Sequence, residues 1–142
     1  MSDYINMQAT LNYSAATCLV AAAIEHAQAN GLSIAVAVLD TGGHVVASGR
    51  MDGVPAPILE FATDKAFTST LGRTSLAYGM RMAEEKSLEL GFTTRNRLLT
   101  WEGGLPIRHA GKMTGAIGVS GAAPHEDAAC AQAGIDALGL TP

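Results

Sequence analysis

The stretch LSIAVAVLDTGGHVVASGR, residues 32–50, restricts the fold more than any other part of the chain. Ile34, Val36 and Val38 alternate with Ala35, Ala37 and Leu39. Successive strand residues point to opposite faces, so this strand is apolar on both and needs cover on both. Asp40-Thr41-Gly42-Gly43 supplies the backbone angles of a tight hairpin, and HVVASGR returns as the next strand. The hairpin makes the sheet antiparallel, and two covered faces put the first strand in its middle. The small residues Ala47 and Gly49 predict close approach of a helix or a ligand to the second strand.

The remaining segments provide the cover. Asn12 caps a helix over YSAATCLVAAAIEHAQANG, whose apolar stripe is Ala16, Leu19, Val20, Ala23 and Ala27, with Gly31 as terminator. Pro55 and Pro57 open a helix through ILEFATDKAFTSTLG, with Ile58, Ala62, Ala66 and Ser69 on one side and Gly72 at its end. TSLAYGMRMAEEKSLELG reads as a further helix or helix pair, with Gly79 its weak point and Gly91 its stop. LPIRHAGKMTGAIGVSG is a second hairpin that turns at Ala110-Gly111-Lys112 and runs from Met113 to Gly121. Pro124 starts a last helix ending near Leu138. Hairpins with helices segregated around them define an α+β fold. No linker divides residues 1–142, so one domain is expected.

Charge narrows the function classes. Nine basic residues against 13 acidic ones give a net charge of −4, and the basic residues are scattered. Nucleic acid and anionic membrane surfaces are therefore not expected partners. The longest apolar run, CLVAAAI, is too short to span a bilayer. MSDYINMQAT lacks the pattern of a signal peptide, and Cys18 and Cys130 read as buried thiols of a reducing compartment. A cytoplasmic protein is expected. With 16 glycines, abundant alanine and 48% apolar residues, the first and last helices bury little volume per residue. An apolar patch beyond the core, and a homo-oligomer that covers it, follow.

The candidate chemistry is sparse. No two of His26, His44, His109 and His125 stand three or four apart, and no metal site is expected. His125 begins the last helix beside Glu126 and Asp127. It pairs with a carboxylate as acid and base at a pocket mouth, or the acids only complement the helix dipole. GAIGVSG places its glycines inside a strand, unlike a dinucleotide-binding turn. Arg50 at a strand end suits a forked carboxylate clamp. Asp52 either holds Arg50 or caps the next helix, and Lys65 converges on Arg50 if that helix crosses the strand end. The competing reading is a surface salt-bridge set.

Three blocks, AVLDTGGHVVASGRMDG with the later DKAFTS, then GGLPI, then GAIGVSG followed by EDAACAQAGIDAL, resemble the GlcG/HbpS family of haem-binding-like domains. That family is also found at the C-terminus of some corrinoid adenosyltransferases. The resemblance runs from about Leu11 to Leu138. It implies a profilin-like fold, a central antiparallel sheet flanked by helices, in dimers or larger rings such as octamers. Arg50, Asp52, Gly53, Asp64, Lys65, Gly103, Gly104, Pro106 and Asp127 match its recurring positions. Trp101 and Glu102 depart from them and narrow or polarise the loop before the glycine pair.

The resemblance leaves two ligand-handling functions open, beside a structural or regulatory partner with no ligand. In the first, the chain binds haem or a similar planar anion, with Arg50 or Lys65 on the propionates and His44, His109 or His125 on the iron. Asp52, Trp101, Gly103 and Gly104 complete the ligand site. In the second, it is a cofactor-free tautomerase or imine hydrolase for a small carboxylate of a catabolic pathway. Arg50 then clamps substrate, Trp101 covers it, and Glu102, His125 or Asp127 moves protons. Either way a pocket near Arg50, Glu102 and His125 is expected at a subunit boundary.

Overall fold

The structure, a computed structural model, describes residues 3–142. The element order is α1 (Tyr13–Ala29), β1 (Ala35–Leu39), β2 (Val45–Arg50), α2 (Pro57–Ser69), α3 (Ser75–Glu84), α4 (Lys86–Phe92), β3 (Gly104–His109), β4 (Lys112–Ser120) and α5 (Pro124–Ala137). The strands form one antiparallel sheet in the order β2-β1-β4-β3. All five residues of β1 are buried, as its two apolar faces require. α1 and α5 cover one face of the sheet and α2 the other. This is the α+β arrangement expected from the sequence.

The two faces differ in side-chain size, and that sets how close the helices come. Ile34, Val36, Val38, Ile107, Ile117 and Val119 point toward α1 and α5, against Ala16, Leu19, Ala23, Ala27 and Ile135. Each fully buried Leu or Ile contributes roughly 1.5–3 kcal/mol. Ala35, Ala37 and Ala116 point toward α2, against Ala62 and Ala66. Gly104 and Gly118 are register partners on β3 and β4. A Cβ at Gly118 would overlap the Ala62 carbonyl and stand 2.6 Å from the Ala66 nitrogen. One at Gly104 would stand 2.7 Å from the Lys65 carbonyl carbon. Here α2 rests on the sheet almost backbone to backbone.

Local signals behave as expected at most ends. Asn12 Oδ1 accepts from the Ala15 N–H at 2.8 Å and caps α1. Asp40 Oδ1 accepts from the N–H groups of Gly42 and His44, at 2.9 and 3.0 Å, and ties the first hairpin. The second hairpin turns on Ala110 (φ 50°) and Gly111 (φ 76°), the positive pair of a two-residue turn. Gly49 meets α1, where a Cβ would lie 3.0 Å from Val20. The close neighbour of β2 is thus a helix.

The third helical segment is a helix pair, one of the two readings its sequence allowed, and the break falls at Glu85, an extended residue (φ −121°, ψ 92°). Gly79 stays inside α3 because its bare face lies against Thr100. The small residues of α1 and α5 pack against each other and the sheet, and much of the apolar surface beyond the core is elsewhere. It lies on α3, α4 and their approach, where Leu71, Met80 and Leu90 are exposed. α3 buries only Ser75, and α4 buries no residue. No helix among the described residues is long and apolar enough to cross a membrane.

Candidate functional site

Most of the residues singled out in the sequence gather at one end of the sheet, where β1 and β3 begin and β2 and β4 end. At its centre is an ion pair sealed from water. Lys65 Nζ donates to Asp127 Oδ2 at 3.1 Å and to the Val119 carbonyl at 2.9 Å. Both side chains are 3% exposed. Asp127 Oδ1 accepts from the Ala122 N–H at 2.9 Å, so each carboxylate oxygen has a partner. Burial pushes the Lys65 amine below the ordinary lysine range, against the opposing pull of Asp127 and Glu102. Burial likewise raises the Asp127 carboxyl, opposed by the Ala122 N–H and by Lys65.

The glycine pair closes this knot. A Cβ on Gly103 would overlap the Val119 carbonyl and lie 3.0 Å from Lys65 Nζ. Gly103 and Gly104 are therefore the cover over the pair, and Lys65 and Asp127 clamp α2 to the first turn of α5. Glu126 Oε1 accepts from the Ala123 N–H at 3.1 Å and caps the same turn. The Ser69 hydroxyl beside Gly104 is buried with no hydrogen-bond partner among the described residues.

The other candidates ring the clamp without forming one constellation. Arg50 is exposed and donates to the Val54 carbonyl. It therefore turns along its own loop and does not meet Lys65, which is the correction to the expected convergence. Asp52 and Gly53 line an open cleft of about 450 Å³ with Ser33, Val54, Ile58 and Gly121. Arg50, Glu102 and His125 are not on its walls. Arg50 ends one edge strand, while Glu102 precedes the other. Three strand spacings, about 14 Å, lie between those edges. His125 is exposed on α5. Trp101 packs edge-on to Phe61, with ring centroids 5.4 Å apart. Its carbonyl accepts from Ser75 Oγ at 2.6 Å, and the same hydroxyl accepts from the Gly104 N–H at 2.9 Å.

His44 and His109 lie at the opposite end of the sheet, in the two hairpins. β3 is six residues long, so His109 is about 20 Å from the clamp, beyond the reach of a ligand also held by Lys65. His44 stays beside Asp40, 3.5 Å away. His109 is on the rim of a cleft of about 380 Å³ walled by Leu11, Leu138, Leu140, Ala9 and Thr114. Lys112 faces His109 across the turn. Among the described residues no cluster of three or more His, Cys, Asp or Glu forms a metal site.

An antiparallel four-stranded sheet between helices, with a glycine-closed Lys–Asp clamp at one end, defines the class of α+β domain to which the chain is to be compared. The chain belongs to the family described as haem degrading protein HbpS-like, whose model matches residues 11–136. It is 38% identical over 111 residues to Protein GlcG of Escherichia coli (strain K12), across 78% of this chain and 81% of that protein. Its fold is similar to that of a double mutant of Streptomyces reticuli HbpS, with a TM-score of 0.88, 29% identity, and 98% and 94% of the two chains covered. It is also similar to Klebsiella pneumoniae protein ORFY, with a TM-score of 0.87, 26% identity, and 97% and 96% covered.

Proposed function

We propose that the chain is a homo-oligomeric binding protein for a flat, largely apolar, carboxylate-bearing ligand of the haem class, seated in the His109 cleft. One observation carries this reading: an imidazole on the rim of a cleft with leucine walls. A histidine is a common axial ligand of haem iron, and apolar walls suit the face of a macrocycle. The fit extends to charge, because Lys112 opposite His109 offers a cation to a carboxylate at the rim. The family's own description names haem, which supports the same ligand class.

A bound haem would supply iron-centred redox chemistry. The chain's part is to bind, orient and shield. Leu11, Leu138 and Leu140 would exclude water from one face of the ligand, and His109 would hold it in place. A cleft of about 380 Å³ is near the lower end of small-molecule sites, and this one is open on one side. A second copy of the chain supplies the missing wall in this reading, and closed symmetry makes that contact self-complementary.

The test is a hemin titration of the full chain followed at the Soret band. A saturable band is expected, with His109→Ala abolishing it while the far-ultraviolet circular dichroism stays unchanged. The reading fails if the wild-type chain gives no saturable change, or if His109→Ala titrates like the parent.

A further inference from the structure

We propose that the cleft between α3 and α4 is a second binding site, specific for a small organic acid with an apolar body and one carboxylate. The cleft holds about 290 Å³, near the smallest volumes used for small ligands. Leu71, Leu88, Phe92 and Leu98 form its apolar walls. Its charged lining residues are Arg81 and Arg95, and no carboxylate lines it. That is notable in a chain with 13 acidic residues against nine basic ones.

The two arginines differ from the four others in the molecule, of which Arg73 lies over the Tyr78 ring, 6.0 Å from its centroid. Arg50, Arg97 and Arg108 each donate to a backbone carbonyl. The Arg81 and Arg95 side chains have no hydrogen-bond or carboxylate partner among the described residues. Two unpaired guanidinium groups at the mouth of an apolar cleft are complementary to a carboxylate whose body is buried. Tyr78 also lines the cleft; burial raises its phenol, opposed by Arg73 and Arg81. A neighbouring cleft of about 350 Å³ shares Leu71, Arg95 and Leu98 and leaves room for a longer body.

This site is independent of the His109 reading, and the probe contains no haem. Amide shifts of the full chain are followed by nuclear magnetic resonance during titration with 4-phenylbutanoate, and separately with 4-phenylbutan-1-ol. Saturable shifts are expected at Leu71, Tyr78, Leu88 and Leu98 with the acid. Binding should weaken about tenfold or more for the alcohol, because a charge-assisted contact is lost. Arg81→Gln with Arg95→Gln should weaken the acid similarly, and the paired Lys substitutions should retain most of the affinity. The amide spectrum itself reports that each variant is folded. Three results would overturn the proposal: no shifts at millimolar acid, equal affinity for acid and alcohol, or shifts at the same residues on protein dilution alone. The last would assign the cleft to a second copy of the chain.

Discussion

Lys65→Met is expected to destabilise the fold by about 3–5 kcal/mol, the cost of removing one partner from a buried ion pair. What remains behind sets that cost. Asp127 keeps the Ala122 N–H but loses Nζ, and the Val119 carbonyl loses the same donor. With both side chains 3% exposed, water does not replace the lost partner. For a domain of this size the melting midpoint should fall by about 10–20 °C. Asp127→Asn separates charge from hydrogen bonding, because the amide oxygen still accepts from Ala122. In that variant Lys65, already depressed by burial, also loses the carboxylate that raised it. A lysine with a depressed folded pKa contributes stability above its unfolded value of 10.5 and loses it as pH falls through the folded one. Asp127→Asn should therefore regain stability as pH rises from neutral toward 10, and Lys65→Met should not. Urea unfolding at one fixed protein concentration measures both, since association alters apparent stability. A Lys65→Met variant within about 1 kcal/mol of the parent would refute the argument, because an exposed pair is worth no more than that.

Two further outcomes follow from burial and close approach. Against the expectation of two buried thiols, Cys18 is exposed on the outer side of α1, whereas Cys130 is buried and its thiol is pushed up to about 11. Iodoacetamide at pH 8 should thus label one thiol per native chain and two after unfolding, as read by mass spectrometry. Gly118→Ala should prevent native folding by driving a methyl into the Ala62 carbonyl, whereas a Cβ at Gly91, inside α4, meets nothing within 4 Å. Gly91→Ala should raise stability by up to about 1 kcal/mol, and thermal melts of the two variants make the comparison.

The sheet was legible because its strands alternate between large and small apolar residues, so Ile34, Val36 and Val38 and their Ala35 and Ala37 neighbours assign their own faces. The two halves of the clamp are legible in the helical spacing of α2 and α5. Ala62, Lys65, Ala66 and Ser69 fall at helical spacing on one buried face of α2. Asp127, Cys130, Ala131, Gly134 and Ile135 do the same on α5. A lysine and an aspartate, each alone on an apolar stripe, need a buried partner of opposite charge, and each is the other's. The pairing itself depends on strand order, which local spacing does not encode. The same holds for Arg50 and Glu102. Both flank strands at one end of the sheet, and only the order β2-β1-β4-β3 reveals that the full width of the sheet separates them. The place of the exposed apolar surface was not legible either. Composition counts small residues, but whether their faces are filled is decided by which elements meet.

The near backbone-to-backbone seat of α2 has a consequence for compression. Pressure favours states that eliminate internal voids, and unfolding volumes scale with the void volume lost. Where the Ala62 carbonyl lies over Gly118 and the Lys65 carbonyl over Gly104, little empty space remains to be eliminated. The α3–α4 flank is held quite differently, since α3 buries only Ser75 and α4 buries no residue, and weakly packed elements open at the lowest cost. Under rising hydrostatic pressure the molecule should lose that flank first, while α2 remains seated on the sheet.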